Sequence, residues 1–301
     1  MSKSTKWFLV ILAILAVIAL GFVFILVVIV SGGGEGTETV VTGSGEKIAV
    51  VELRGEITSA EDVVRQLKKY REQRSIKAIL LRINSPGGAV VPSQEMYEEV
   101  KKTRDSGKPV VVSMGSLAAS GAYYVACGAS RLVANKATLT GSIGVISQFL
   151  HYYGAMDKLG LDIRTIKTGK LKDAGSPTRP MNEADVAYFQ SLMTNVFDQF
   201  VDVVASERKM TRTQVEALAD GRVYTGEQAV TLGLVDTLGT FEDAISITAA
   251  LAGIHGEPSL VRERQRVGLF ESVLGDTQAA IKRLKQDVVD RPVMSYQFVE
   301  P

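Results

Sequence analysis

The 301-residue chain is predicted to fold as an α/β domain with a parallel sheet, preceded by one N-terminal transmembrane helix. Three observations carry this. The run from Trp7 to Val30 is uncharged, and only Gly21 departs from the apolar set. Beyond residue 46, short runs rich in Val and Ile alternate with stretches of helical period. That strand–helix–strand order implies parallel strands covered by helices on both faces.

As a helix, Trp7–Val30 would reach roughly 36 Å at 1.5 Å per residue, enough for a hydrocarbon core of about 30 Å. A cleaved secretory signal has a shorter apolar region and a small-residue cleavage site, whereas Ser31-Gly32-Gly33-Gly34 reads as a linker. Lys3 and Lys6 precede the run and favour the cytoplasmic side. The expected layout is a cytoplasmic N-terminus at 1–6, a membrane span at 7–30, a flexible Gly/Thr/Ser/Glu-rich tether at 31–46, a main domain at 47–255 and a weakly patterned extension at 256–301. The main domain is then extracytoplasmic, held to the cell (inner) membrane by a single pass.

Within the domain, strands are predicted at 48–53, 76–83, 109–114 and 162–168. Helices are predicted at 60–74, with Val63, Val64, Leu67 and Tyr70 on one side, at 92–103, ended by Gly107, and at 118–128. The longest spans about 182–207, with Asn182 as its N-cap and an apolar stripe through Val186, Phe189, Met193, Val196, Phe200 and Val203. Thr225-Gly226-Glu227-Gln228 has the form of a capping box opening another helix.

Composition excludes several functions. With 34 basic and 33 acidic side chains, the chain lacks the basic excess that nucleic-acid binding needs. The single cysteine, Cys127, rules out an intrachain disulfide and a cysteine-based zinc site. Two histidines, His151 and His255, are a thin supply for histidine chemistry.

Three segments can carry chemistry. Asn84-Ser85-Pro86-Gly87-Gly88 follows a strand, and its glycines make either a tight turn or backbone N–H donors for a developing oxyanion. Gly115 to Tyr124 contains Ser120 among small residues at the start of a predicted helix. That serine is either a nucleophile facing a substrate backbone or a buried, hydrogen-bonded packing residue. Lys170-Leu171-Lys172-Asp173-Ala174-Gly175-Ser176-Pro177 offers lysines. Most lysines are solvated surface groups, but a desolvated one can replace histidine as the base that activates a serine.

Taken in order, Asn-Ser-Pro-Gly-Gly, Ala-Ala-Ser-Gly-Ala-Tyr-Tyr, Thr140-Gly141-Ser142-Ile143-Gly144-Val145 and Gly-Lys-Leu-Lys-Asp-x-x-Ser-Pro resemble the bacterial signal peptide peptidase A family of membrane-bound serine proteases. The likeness covers about residues 46 to 253 and includes the anchor. It implies a Clp protease/crotonase-like spiral of β-β-α units in the short, single-copy form. It implies Ser120 as nucleophile, Lys172 as general base with Lys170 the competing candidate, the Gly88 and Gly121 amides as oxyanion hole, and Ser142 as the residue orienting the lysine. Ser120 and Lys172 would come from adjacent protomers of a homo-oligomer. The implied substrates are signal peptides and other apolar peptides, hydrolysed without a metal or organic cofactor. The rival readings are a membrane Ser–Lys protease of the NfeD type, whose serine motif differs, and a non-catalytic membrane scaffold. Val145 stands where a cytoplasmic caseinolytic protease would place its histidine.

Overall fold

Strands form where Val, Ile and Leu run together. In the computed structural model, which describes residues 37–265 and 294–298 and the isolated positions 7, 15, 17, 20 and 21, β1 is Thr37–Thr42, β2 Lys47–Arg54, β3 Ile76–Ser85, β4 Gly87–Ala89 and β5 Val110–Ala119. Then come β6 Arg131–Ala134, β7 Leu139–Gly141, β8 Val223–Thr225, β9 Thr237–Leu238, β10 Ser259–Gln265 and β11 Ser295–Gln297. The helices are α1 Glu61–Glu72, α2 Val90–Asp105, α3 Gly121–Cys127, α4 Tyr153–Lys158, α5 Glu183–Arg208, α6 Arg212–Glu216, α7 Gly226–Thr231 and α8 Phe241–Leu251. The predicted membrane span otherwise falls outside the described residues, and among the described residues no helix is long and apolar enough to cross a membrane.

Two compact units divide the chain: Val41–Arg262 with Pro292–Pro301, and Met1–Val40 with Glu263–Arg291. The first carries every residue of the candidate site. Its sheet runs β10-β2-β3-β5-β6-β9, with each neighbouring pair parallel. β7 continues the parallel pairing from the end of β5, and β8 turns antiparallel against β7, so the sheet is mixed rather than wholly parallel.

Both faces are covered, which is why the central strands are apolar at consecutive positions. On one face Ala49, Val51, Leu81 and Val112 meet Leu67 of α1, Met96 and Val100 of α2, and Phe200, Val201 and Val204 of α5. On the other, Ile48, Val50, Leu80, Val111 and Val133 meet Ala244, Ile245 and Ala249 of α8. Each such side chain contributes roughly 1.5–3 kcal/mol by leaving water. Asn182, Thr211, Thr225 and Thr240 each close a reciprocal capping box, so four helices begin where their sequence specifies. The succession β3–β4–α2 is one strand–strand–helix unit of the kind the family resemblance implies.

Several expectations are corrected. Residues 161–167 form no strand; Ile163 and Ile166 are β-branched, but both are exposed, Ile166 fully, and neither pairs with a described strand. Ala118 and Ala119 finish β5, and α3 starts only at Gly121. The tether contains strand β1, and the extension returns twice to the fold: Ser259–Arg262 pair with Lys47–Val50, and β11 pairs with β4.

Candidate active site

The site gathers at the carboxyl ends of parallel strands. After β3, Ser85 accepts a hydrogen bond from the Gly87 N–H at 3.1 Å and turns the chain into β4. Gly87 has φ +95° and Gly88 φ +154°, conformations open to glycine. There is also no room for a side chain: a Cβ on Gly88 would lie 2.2 Å from the Ile57 carbonyl oxygen. The Ile57 N–H donates to the Gly87 carbonyl at 2.8 Å and the Ala89 N–H to the Ile57 carbonyl at 2.7 Å, which fixes one edge of β4.

Ser120 stands between β5 and α3 with φ 55° and ψ −119°. A non-glycine residue in this region is strained and must be held by its surroundings. Here the Ser120 N–H donates to the Gly141 carbonyl at 2.7 Å, and its carbonyl accepts from the Tyr124 N–H at 2.9 Å. Ser142, which follows β7, also has positive φ, 52°, and its N–H donates to the Arg222 carbonyl. Both serines are buried, yet both line one cavity of about 610 Å³, walled further by Met193, Thr194 and Phe197 of α5.

The chain itself lies across this site. Residues 294–298 run extended, with Tyr296 paired antiparallel to Gly88 and the Phe298 N–H donating to the Pro86 carbonyl at 2.8 Å. Bonded pairs recur at every second residue of an antiparallel ladder, so the Gly88 N–H faces the Tyr296 carbonyl. On the opposite edge Ser295 and Ile146 exchange both backbone bonds, at 3.0 and 3.1 Å. The Tyr296 carbonyl oxygen lies 3.0 Å from where a Cβ on Gly121 would be, and 2.2 Å from the corresponding position on Gly87. The latter position is only 2.6 Å from the Gly121 nitrogen. The Gly121 nitrogen and the Tyr296 carbonyl oxygen thus both lie close to the place a side chain on Gly87 would take. Gln297 and Phe298, beyond Tyr296, line the cavity with Ser120 and Ser142.

Lys172 is not drawn into this arrangement. It lies on an exposed turn whose N–H reaches the Gly169 carbonyl, and it does not line the cavity. Lys170 is likewise exposed, and neither His151 nor His255 lines the cavity. The loop is nevertheless tied down. Asp173 accepts from Arg179 and Lys167, Arg179 continues to Asp185, and the buried Asp185 completes the α5 capping box. The Arg179 and Lys167 hydrogen bonds hold the Asp173 carboxyl low, at about 2.

Sequence reading missed Ile146 and residues 295–297, which carry no periodic signal and pair only through the backbone.

The sequence profile described as Peptidase family S49 matches residues 102–255, and that described as Clp protease matches residues 45–147. A chain named putative protease MJ0651 from Methanocaldococcus jannaschii is 38% identical over 89% of this chain and 89% of its own. One named putative signal peptide peptidase SppA from Enterococcus faecium is 36% identical, covering 79% of this chain and 69% of its own. The chloroplastic serine protease SPPA of Arabidopsis thaliana is 34% identical, over 71% of this chain and 33% of its own.

Proposed function

Because the chain belongs to peptidase family S49 and is a serine protease of Clp protease-like α/β fold, we propose that it is a membrane-anchored endopeptidase that hydrolyses extended apolar peptides, remnant signal peptides among them, with a Ser120–Lys172 dyad shared between protomers. One observation carries the reading. An extended peptide, residues 294–298, already lies between β4 and Ile146, with Tyr296 paired to Gly88 and its carbonyl oxygen 3.0 Å from where a Cβ on Gly121 would be. Strand addition of this kind binds a peptide through its main chain, whatever its sequence.

In the proposed reaction a neutral Lys172 from the neighbouring protomer takes the Ser120 proton as the hydroxyl attacks the substrate carbonyl. The Gly88 and Gly121 amides stabilise the oxyanion. Lys172 returns the proton to the leaving amine, and water, activated in the same way, releases the acyl group. Ser142, in the same cavity as Ser120, orients the incoming amine. Assembly is supported by the segment that carries Lys172: Leu150, Leu159, Leu161, Ile163, Ile166 and Leu171 are all exposed within one chain. Such clustering of apolar side chains is characteristic of surfaces that bury against a partner. Membrane attachment rests on the uncharged run 7–30.

Labelling by a serine-reactive peptidyl phosphonate tests the assignment. The adduct should map to Ser120, and Ser120→Ala should abolish both labelling and peptide cleavage. Cleavage at the wild-type rate by that variant would sink the reading.

A further inference from the structure

We infer that Tyr224 is a positioning residue for the nucleophile: its ring, set against Gly141, holds the one peptide unit that keeps Ser120 and Ser142 in their strained backbone poses. The inference rests on the protease reading above and extends it to a residue that does not line the cavity.

The peptide unit is Gly141–Ser142. Its carbonyl accepts the Ser120 N–H at 2.7 Å, and its own N–H donates to the Arg222 carbonyl at 2.9 Å. One plane of atoms therefore bonds to the nucleophile and carries Ser142. Gly141 has φ +78° and ends β7. A glycine at a strand end has wide backbone freedom, and a turn of this plane would take the carbonyl away from Ser120. Ser120 would then lose a bond that offsets its positive φ.

Tyr224 stands in the way of that turn. It lies on β8 opposite Thr140, and it is buried. A Cβ on Gly141 would lie 2.8 Å from its Cδ2 and 3.3 Å from its Cε2, so the ring fills the room a side chain at 141 would need. The ring is held at its far end as well, where the hydroxyl donates to the Leu218 carbonyl at 3.0 Å. Leu218 leads into Ala219, Asp220 and Gly221, which wall the cavity, and the Gly221 N–H donates to the Ile143 carbonyl at 3.1 Å. The Thr140 hydroxyl donates to the Ala118 carbonyl at 2.7 Å, so β7 is fastened to β5 on one side and braced by β8 on the other.

Ring and hydroxyl have separable duties. The rigid aromatic ring restrains the Gly141 plane, and phenylalanine supplies it equally well. The hydroxyl fastens the cavity wall, which meets substrate before and during attack alike, so its loss falls on KM rather than kcat.

The test compares Tyr224→Phe, Tyr224→Leu and Tyr224→Met in the full chain, each checked for folding by circular dichroism and for wild-type assembly by gel filtration. The readouts are the rate of Ser120 labelling by the peptidyl phosphonate, and kcat and KM for a peptide substrate. Tyr224→Phe should keep labelling and kcat within about threefold of wild type and raise KM by roughly three- to tenfold. Tyr224→Leu and Tyr224→Met refill the space without a rigid ring. Both should label and turn over about 100-fold more slowly, with KM no higher than that of Tyr224→Phe. Ile245→Ala, in the core layer on the α8 face of the sheet, controls for lost stability: its urea midpoint should fall while its labelling rate stays at wild type. A Tyr224→Leu protein that is destabilised like this control yet labels at the wild-type rate overturns the inference and leaves the protease reading standing. Equal loss of labelling in Tyr224→Phe and Tyr224→Leu overturns it too, because the ring is then not what positions Ser120. Wild-type protein that neither labels nor cleaves overturns both readings. Should Tyr224→Leu not fold, Tyr224→Met, whose flexible chain adapts to irregular space, decides in its place.

Discussion

Asp173 and Arg179 form an ion pair at 2.8 Å immediately after Lys172, and the same guanidinium reaches the buried Asp185 at the start of α5. The proposed base thus sits on an exposed turn fastened from one side. Replacing Arg179 by Gln should lower kcat by about 10- to 100-fold, the usual cost of misplacing a reacting group. The pH dependence has a definite sign. Arg179 and Lys167 hold the Asp173 carboxyl at about 2, below its ordinary 3.8. Its stabilising contribution is therefore complete above about pH 4 and is lost as pH falls towards 2. Thermal melts should show wild type and Arg179→Gln converging across that window.

Lys172 and Lys170 are both exposed in one chain, so neither substitution should change Tm appreciably. Lys172→Ala should reduce peptide cleavage by at least about 1000-fold, whereas Lys170→Ala should stay within about threefold of wild type. If Lys170→Ala proves the inactive variant, the base has been assigned to the wrong lysine.

A shared site predicts complementation. Ser120→Ala and Lys172→Ala proteins, each inactive alone, should regain activity when co-assembled in equal amounts. Roughly a quarter of junctions would then join an intact serine to an intact lysine by chance. Co-assembled but inactive mixtures would place both groups in one chain.

At Gly121 a methyl group would meet the Ser93 Oγ at 2.6 Å and the Tyr296 carbonyl at 3.0 Å. Gly121→Ala should therefore slow phosphonate labelling by about 100-fold, as expected when an oxyanion donor is displaced. Gly88→Ala should cost more in folding, because the added carbon meets the Ile57 backbone rather than a side chain that can turn away. Comparing urea midpoints of the two variants distinguishes these effects.

Cys127 provides a probe of global unfolding. It is buried in α3, and burial foremost pushes its thiol up to about 12. Iodoacetamide at pH 8 should leave it unmodified until denaturant opens the fold. Modification should then follow the same transition as the helical circular dichroism signal. Rapid alkylation of native protein would contradict the packing.

The central strands were legible in the sequence because consecutive apolar residues such as Val110-Val111-Val112 have few other uses. Ser120 and Gly88 were ambiguous in their own segments, each open to a packing or turn reading, and were grouped with Gly121 only through the family resemblance. Residues 162–168 misled because β-branched residues such as Ile163, Thr165 and Ile166 report a capacity to pair, not the presence of a partner. Ser295-Tyr296-Gln297 was illegible for the converse reason: its pairing depends on an edge some 200 residues earlier, and three residues carry no period. Ser142 adopts positive φ directly after Gly141, and a serine at that position does not announce such a backbone.

The parallel ladder behind the site bears on how such an enzyme can be made safely. Parallel neighbours cannot be zipped together by a tight hairpin; each pair waits for its crossover to be synthesised and folded. A nascent chain that has emerged as far as Ser120 still lacks β7, whose Gly141 carbonyl holds that serine in its strained pose. The cutting edge is thus assembled late in biosynthesis, and residues 295–297, which pair with β4, are made later than β7.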